Sequence, residues 1–177
     1  MQTNGKQWAV RMAEKGPGNF YRVSADLYRS AQPENKNYPQ LQALGIRSVL
    51  NLRYHHRNPK NGAADYRLNF LAVPFSAVDL TSAELTKALR LFKTAPKPVL
   101  VHCWHGSDRT GTFCAAYRIV FEDWSVEAAL DELKNGGFGF HRRLYANIPE
   151  LFRAVDWPAV QAAVLAEENR PPPEAGS

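Results

Sequence analysis

Pro98-Val99-Leu100-Val101-His102 is a short, nearly continuous apolar run, and the seven residues after it lead straight into a helical pattern over 110–122. A strand this apolar has no polar face to show to water, so it has to be covered on both sides and reads as a central strand of a parallel sheet. Parallel neighbours need crossover connections, and the rest of the chain supplies them. Short strand-like pieces at 20–23 and 27–30 are separated by Ser24-Ala25-Asp26, a hairpin turn. A helix over 38–44 stops at Gly45, a residue suited to the left-handed conformation after a helix, and an apolar strand follows at 46–52.

Downstream, 53–62 is a basic surface loop and 70–73 the next strand. Thr81 with Glu84 forms a capping box for a helix to about Lys93, which Pro96 and Pro98 terminate. After the helix at 110–122, Ser125 caps 126–134 and Gly136-Gly137 stops it. Two further helices are expected at roughly 144–155 and 158–168, the second capped by Asp156. Residues 1–18 read as a flexible lead-in that can drape over the core through Trp8, and 170–177 as a disordered tail. The expectation is a single α/β domain over 19–169, with a central, mostly parallel sheet of about four or five strands flanked by helices.

Composition narrows the function classes. The 177 residues are 45% hydrophobic, enough for one core, and 22 Lys+Arg against 17 Asp+Glu give a net charge of +5. The basic residues are spread along the chain, which favours an anionic ligand over a nucleic-acid partner. Two cysteines, Cys103 and Cys114, make neither a disulfide framework nor a structural zinc site. No run is apolar enough to span a bilayer, and the opening residues lack a signal peptide's apolar stretch. A monomer without a membrane anchor is expected, cytoplasmic by default and exported if a leader was removed ahead of this numbering.

The chemistry concentrates in Val101-His102-Cys103-Trp104-His105-Gly106-Ser107-Asp108-Arg109-Thr110-Gly111. Ligands of open α/β sheets sit at the carboxyl ends of strands, and a helix N-terminus offers unpaired N–H groups to an anion. Five residues between Cys103 and Arg109 suffice to wrap a tetrahedral oxyanion in the backbone N–H groups of Trp104, His105, Gly106, Ser107, Asp108 and Arg109, with Gly106 relieving the curvature. Positive potential there favours the Cys103 thiolate, a nucleophile. Arg109 can grip two phosphate oxygens with its planar fork, and the Thr110 hydroxyl can assist departure of the sulfur.

The HC-x5-RTG pattern resembles the signature of the cysteine-dependent protein tyrosine phosphatase superfamily in its compact, dual-specificity-like form. Leu27-Tyr28-Arg29-Ser30-Ala31-Gln32-Pro33, Gly45-Ile46-Arg47-Ser48-Val49-Leu50-Asn51-Leu52-Arg53 and Gly136-Gly137-Phe138-Gly139-Phe140-His141 are similar to stretches of small bacterial members and of the atypical plant and fungal group. The resemblance covers roughly 19–155. It implies a phosphatase loop between the last core strand and a long helix, and hydrolysis of phosphomonoesters through a cysteinyl-phosphate intermediate with no metal or organic cofactor. The implied substrates are phosphorylated proteins or peptides, or alternatively inositol polyphosphates or phosphoinositides. A phosphate-binding pseudophosphatase is the reading from another class.

Such enzymes need a general acid, and Asp79, the carboxylate in the strand-to-helix loop ahead of the signature, is the first choice. Asp108 is the alternative, since the Asp-Arg-Thr ending is similar to that of myotubularin-type inositol-lipid phosphatases. His102 is expected to order the loop by a buried hydrogen bond, and His105 to sit on the cradle rim. Arg29 and Arg53 either lend positive field to the pocket or hold loops by ion pairs. His55, His56, Arg57 and Lys60 read as a solvated basic loop, Cys114 as core, and Tyr28, Phe138 and Phe140 as core aromatics.

Overall fold

A computed structural model of the chain describes residues 6–12, 16–55 and 66–166. The apolar runs form the sheet as expected: β1 Val10–Arg11, β2 Tyr21–Arg22, β3 Leu27–Ser30, β4 Ser48–Asn51, β5 Asn69–Ala72 and β6 Val99–His102. The spatial order is β1-β2-β3-β6-β4-β5. The pairings β3·β6, β6·β4 and β4·β5 are parallel, and the hairpin at the other edge is antiparallel. The three inner strands β3, β6 and β4 are buried along their whole length. Successive residues serve opposite faces: Leu27, Leu50, Val99 and Val101 enter the larger core, whereas Tyr28, Val49 and Leu100 join the smaller one with Phe20, Tyr38 and Leu41.

The helices are α1 Tyr38–Ala43, preceded by a 3-10 turn at Asn35–Asn37, then α2 Ser82–Thr94, α3 Asp108–Glu122, α4 Val126–Asn135, α5 Asn147–Ala154 and α6 Trp157–Leu165. Every residue of α3 from Thr110 to Val120 is buried, so this helix is the spine of the larger core. The expected caps are present. Thr81 and Glu84 form the capping box of α2, Ser125 accepts from Ala128 N–H and Asp156 from Ala159 N–H. Gly45 follows α1 with φ +83°. Among the described residues no helix is long and apolar enough to cross a membrane.

Four expectations are corrected. The sheet has six strands rather than four or five, because part of the supposed flexible lead-in is strand: β1 pairs with β2. It is fixed by contacts far along the chain, with Lys6 Nζ on the Asp123 carbonyl (2.6 Å) and the Ala9 N–H on Glu132 Oε1 (2.6 Å). Helix α5 starts at Asn147, not 144. Pro149 lacks an N–H and is tolerated in a first turn but not in a helix interior, which fixes the start. Helix α3 starts at Asp108, two residues earlier than expected, which brings its N-terminus into the signature loop. Helix α6 ends at Leu165, with Ala166 as its cap, rather than at 168; His56, Arg57 and Lys60 of the basic loop and the tail lie outside the described residues.

Candidate active site

The parallel register aligns the ends of four strands. Ser30 and Asn51 both lie opposite His102, and Ala72 lies opposite Asn51. Cys103 is therefore one residue past the central strand, with Gln32 and Arg53 each two residues past a neighbouring strand, and the Asp79 loop leaves β5 on the same edge. This is the carboxyl-end crevice where open α/β sheets bind ligands.

Cys103 is 3% exposed, at the floor of the loop. The N–H groups of Trp104, His105, Gly106, Ser107, Asp108 and Arg109 donate to no protein acceptor among the described residues, whereas Gly111 N–H returns to the Ser107 carbonyl (3.0 Å). Together with the N-terminus of the 15-residue α3, they form a nest of partial positive charge. The Arg109 guanidinium is half-buried and has neither an ion pair nor a hydrogen bond among the described residues. Thr110 is fully buried and its hydroxyl has no partner among the described residues, Cys103 included. His102 is buried, with Nδ1 3.2 Å from the Cys103 carbonyl. Trp104 is 55% exposed and His105 is exposed on the rim.

Gly106 has φ +73°, and a Cβ there would stand 2.5 Å from the Ser30 carbonyl carbon and 2.6 Å from Ala31 N. Both are backbone atoms of the neighbouring strand exit, which cannot swing aside. We expect Gly106→Ala to cost about 1–2 kcal/mol for the left-handed residue alone. It should also displace the N–H nest enough to weaken phosphate binding on the order of 100-fold, measured by titration of phosphate into the folded variant.

Arg29 lies beneath the cradle and is 1% exposed. Its Nη2 donates to the Gly106 carbonyl (2.7 Å) and its guanidinium stacks 3.7 Å from the Phe138 ring centroid. Of the two roles open to Arg29, an ion pair has no partner among the described residues; a carbonyl contact and an aromatic face hold it instead. Arg53 is half-buried at the mouth and 4.0 Å over the Trp104 ring, with Nη1 on Gln32 Oε1 (3.1 Å). Burial first, then the charge of Arg109, lowers its pKa, while Cys103 acts to raise it. Cys114 is buried in the core, where desolvation pushes its thiol up to about 11, so it is a packed and protonated side chain. Tyr28, Phe138 and Phe140 are core residues, as expected.

The two candidate acids are held differently. Asp79 is exposed and its carboxylate has no partner among the described residues. Its loop is firm, since Ser76 Oγ accepts from the N–H groups of Val78 (3.2 Å) and Asp79 (3.3 Å), and Asn147 Nδ2 donates to the carbonyls of Ala77 and Val78. Asp108 is engaged on both oxygens: Oδ1 accepts the His141 N–H (2.9 Å) and Oδ2 lies 2.9 Å from His141 Nδ1. That pair pins the 137–141 link to the start of α3. Asn19 reinforces it by donating to the carbonyls of His105 and Phe138. Sequence reasoning missed Asn19, His141 and Asn147 as supports of the site. Asn19 left a signal as a residue type that tolerates the positive φ it adopts (+53°), and His141 as the last residue of a stretch carrying the resemblance. No group of three or more His, Cys, Asp or Glu side chains placed to hold a metal occurs among the described residues.

Comparison with known proteins identifies the family and the fold. The model of the tyrosine phosphatase family matches residues 16–144. The chain is 41% identical over 123 residues to the dual specificity protein phosphatase TpbA of Pseudomonas aeruginosa, a match covering 68% of this chain and 56% of that protein. It is 30% identical over 145 residues to the inositol diphosphatase SIW14 of Saccharomyces cerevisiae, covering 77% of this chain and 51% of that one. This chain thus spans little more than half the length of these two relatives. The crystal structure of P. aeruginosa TpbA superposes with a TM-score of 0.78 at 32% identity, over 93% of this chain and 100% of that one.

Proposed function

This chain belongs to the tyrosine phosphatase family, and we propose that it hydrolyses phosphomonoesters of the phosphotyrosine kind through a cysteinyl-phosphate intermediate. The observation that carries the proposal is the cradle itself: six backbone N–H groups and the Arg109 guanidinium, none with a protein acceptor among the described residues, grouped around the loop that begins at Cys103. The sulfur of the thiolate attacks phosphorus and the bond to the ester oxygen breaks, with Asp79 delivering a proton to that oxygen. Water then attacks the phosphorus, Asp79 takes its proton, and the P–S bond breaks to return the thiolate and free phosphate. Arg109 and the N–H nest meet the charge that spreads over the equatorial oxygens in both steps, where stabilisation is most effective. The buried, unpartnered Thr110 hydroxyl supports a role in receiving the departing sulfur.

Asp79 is preferred over Asp108 because its carboxylate is unengaged and carried on a braced loop, whereas both Asp108 oxygens already hold His141. Asp79→Asn should flatten the acidic-to-neutral optimum of kcat/KM and remove its alkaline limb, with kcat lower by roughly 100-fold for a substrate with a poor leaving group. Asp108→Asn should leave the shape of the pH profile intact. The opposite order of the two variants would move the acid into the signature loop.

A second reading, an inositol polyphosphate phosphatase using the same site, is favoured by the half-buried Arg53 at the mouth and by the similarity to an inositol diphosphatase. Phosphate release from an aryl phosphate, a phosphotyrosyl peptide, inositol hexakisphosphate and phosphoinositides, with Cys103→Ser as the blank, ranks the two. Silence on the whole set, with phosphate still bound, would favour a pseudophosphatase.

A further inference from the structure

The most exposed large apolar side chains are not scattered over the surface. Among the described residues four exceed half exposure: Tyr54 at 53%, Trp104 at 55%, Val78 at 61% and Leu144 at 67%. All four stand on segments around the cradle. Tyr54 follows β4, Trp104 follows Cys103, Val78 precedes Asp79, and Leu144 lies on the link from α4 to α5. The other exposed ones, Val10, Leu44 and Leu165, reach only 37–45% and lie on β1, after α1 and at the end of α6. Single apolar residues on a surface need no explanation, but four around one opening mark a contact surface.

The four segments are braced against one another. Arg53, beside Tyr54, stacks 4.0 Å from the Trp104 ring centroid. His141 N–H donates to Asp108 of the signature loop, and Asn147 donates to the carbonyls of Ala77 and Val78. Leu144 is therefore midway along a bridge between the signature loop and the Asp79 loop, on a turn in which the N–H groups of Leu144 and Tyr145 both return to the His141 carbonyl (3.1 and 3.0 Å). Charge selects the partner. The segments 52–55, 76–80, 103–109 and 141–147 carry Arg53, Arg109, Arg142 and Arg143 against Asp79 and Asp108, and Asp108 is taken by His141. None of the four arginines forms an ion pair among the described residues, and Glu34 and Lys36 beyond β3 pair with each other. Aromatic and aliphatic tips set among arginines match the boundary between the headgroups and acyl chains of an anionic leaflet. An extended peptide crosses an opening in one direction, whereas a planar surface meets tips on every side at once, and here they stand on four segments.

We propose that the rim of the cradle is a docking surface for an anionic lipid bilayer, with Tyr54, Val78, Trp104 and Leu144 entering the interface and the arginines resting on its phosphates. No helix among the described residues is long and apolar enough to cross a membrane, so the contact is peripheral. On the phosphatase reading, the cradle then faces phosphomonoesters displayed at a membrane.

The test sediments the full chain with vesicles of phosphatidylcholine, with and without phosphatidylglycerol. Wild type should partition into the anionic vesicles roughly tenfold or more better than into the neutral ones. Tyr54→Ser with Leu144→Ser should lower that partition by about tenfold. Leu44→Ser with Leu165→Ser, which removes exposed apolar side chains away from the cradle, should leave it within about twofold. Circular dichroism checks that both double variants are folded. Equal partition of the two double variants, or equal binding of wild type to neutral and anionic vesicles, would overturn the proposal. So would absence of vesicle binding together with a loss of kcat/KM by the rim variant on a phosphotyrosyl peptide with apolar neighbours, which would assign the rim to a protein partner. Cys103→Ser should sediment like wild type. Sedimentation by a protein that hydrolyses nothing would leave the surface standing and remove the phosphatase reading; turnover of an aryl phosphate without sedimentation would do the reverse.

Discussion

Cys103→Ser is expected to lower phosphate release by on the order of 10⁴-fold or more while phosphate or tungstate still binds within about threefold of wild type. The substitution exchanges a sulfur that ionises readily for a hydroxyl that does not, at a site 3% exposed where nothing else can take over the attack. The binding groups are untouched, because the six N–H groups belong to the backbone and Arg109 to the next turn. The nearest other thiol, Cys114, is buried and held protonated by its burial, so it offers no substitute nucleophile. Turnover and calorimetric binding measured on the same preparation check both halves. Parallel loss of binding and activity would mean that the side chain shapes the cradle rather than attacking from it.

Glu132→Ala should destabilise the fold by about 3–5 kcal/mol, the usual effect of removing one partner from a buried ion pair. Arg118 and Glu132 are 2% and 3% exposed, and they meet through two bonds of 2.8 Å, Nε to Oε2 and Nη2 to Oε1. Glu122 takes Nη1 at 2.7 Å, the carbonyls of Val23 and Gln7 take the remaining donors, and the Trp124 ring lies 4.3 Å from the guanidinium. Burial alone would lower the Arg118 pKa; the hydrogen bonds and charge of Glu132, and then of Glu122, reverse this and raise it. Without Glu132 the guanidinium keeps one carboxylate in a dry site, and Ala9 N–H loses its acceptor, so β1 should come loose from the edge of the sheet. The melting temperature should fall by on the order of 10 °C, read by thermal circular dichroism. Arg118→Met with Glu132→Leu should cost less than Glu132→Ala alone, because the charge left over, Glu122, reaches solvent whereas Arg118 does not.

What the sequence revealed is what short-range patterns encode. The apolar runs set β3, β4 and β6, and the capping residues Thr81, Ser125 and Asp156 set three helix starts, because each signal lies within a few residues of the element it defines. Cys103, Arg109 and Gly106 were legible for the same reason: one loop of fixed length holds them all. The supports were not, because they bridge distant parts of the chain. Arg29 reaches Gly106 across 77 positions, Asn147 reaches the Asp79 loop across about 70, and the Gln7 and Ala9 contacts that make β1 span 111 and 123. No periodicity reports such pairings. Pro149 is different: its signal was local and already marked where α5 begins.

Acid-quenching the wild-type protein in the first turnovers of an aryl phosphate and mapping the modified peptide by mass spectrometry tests cysteine-based phosphoryl transfer most directly. One phosphoryl group on the peptide that contains Cys103, absent in Cys103→Ser, is the expected result. Phosphate release that continues in Cys103→Ser, with no modified cysteine in the wild type, would contradict it.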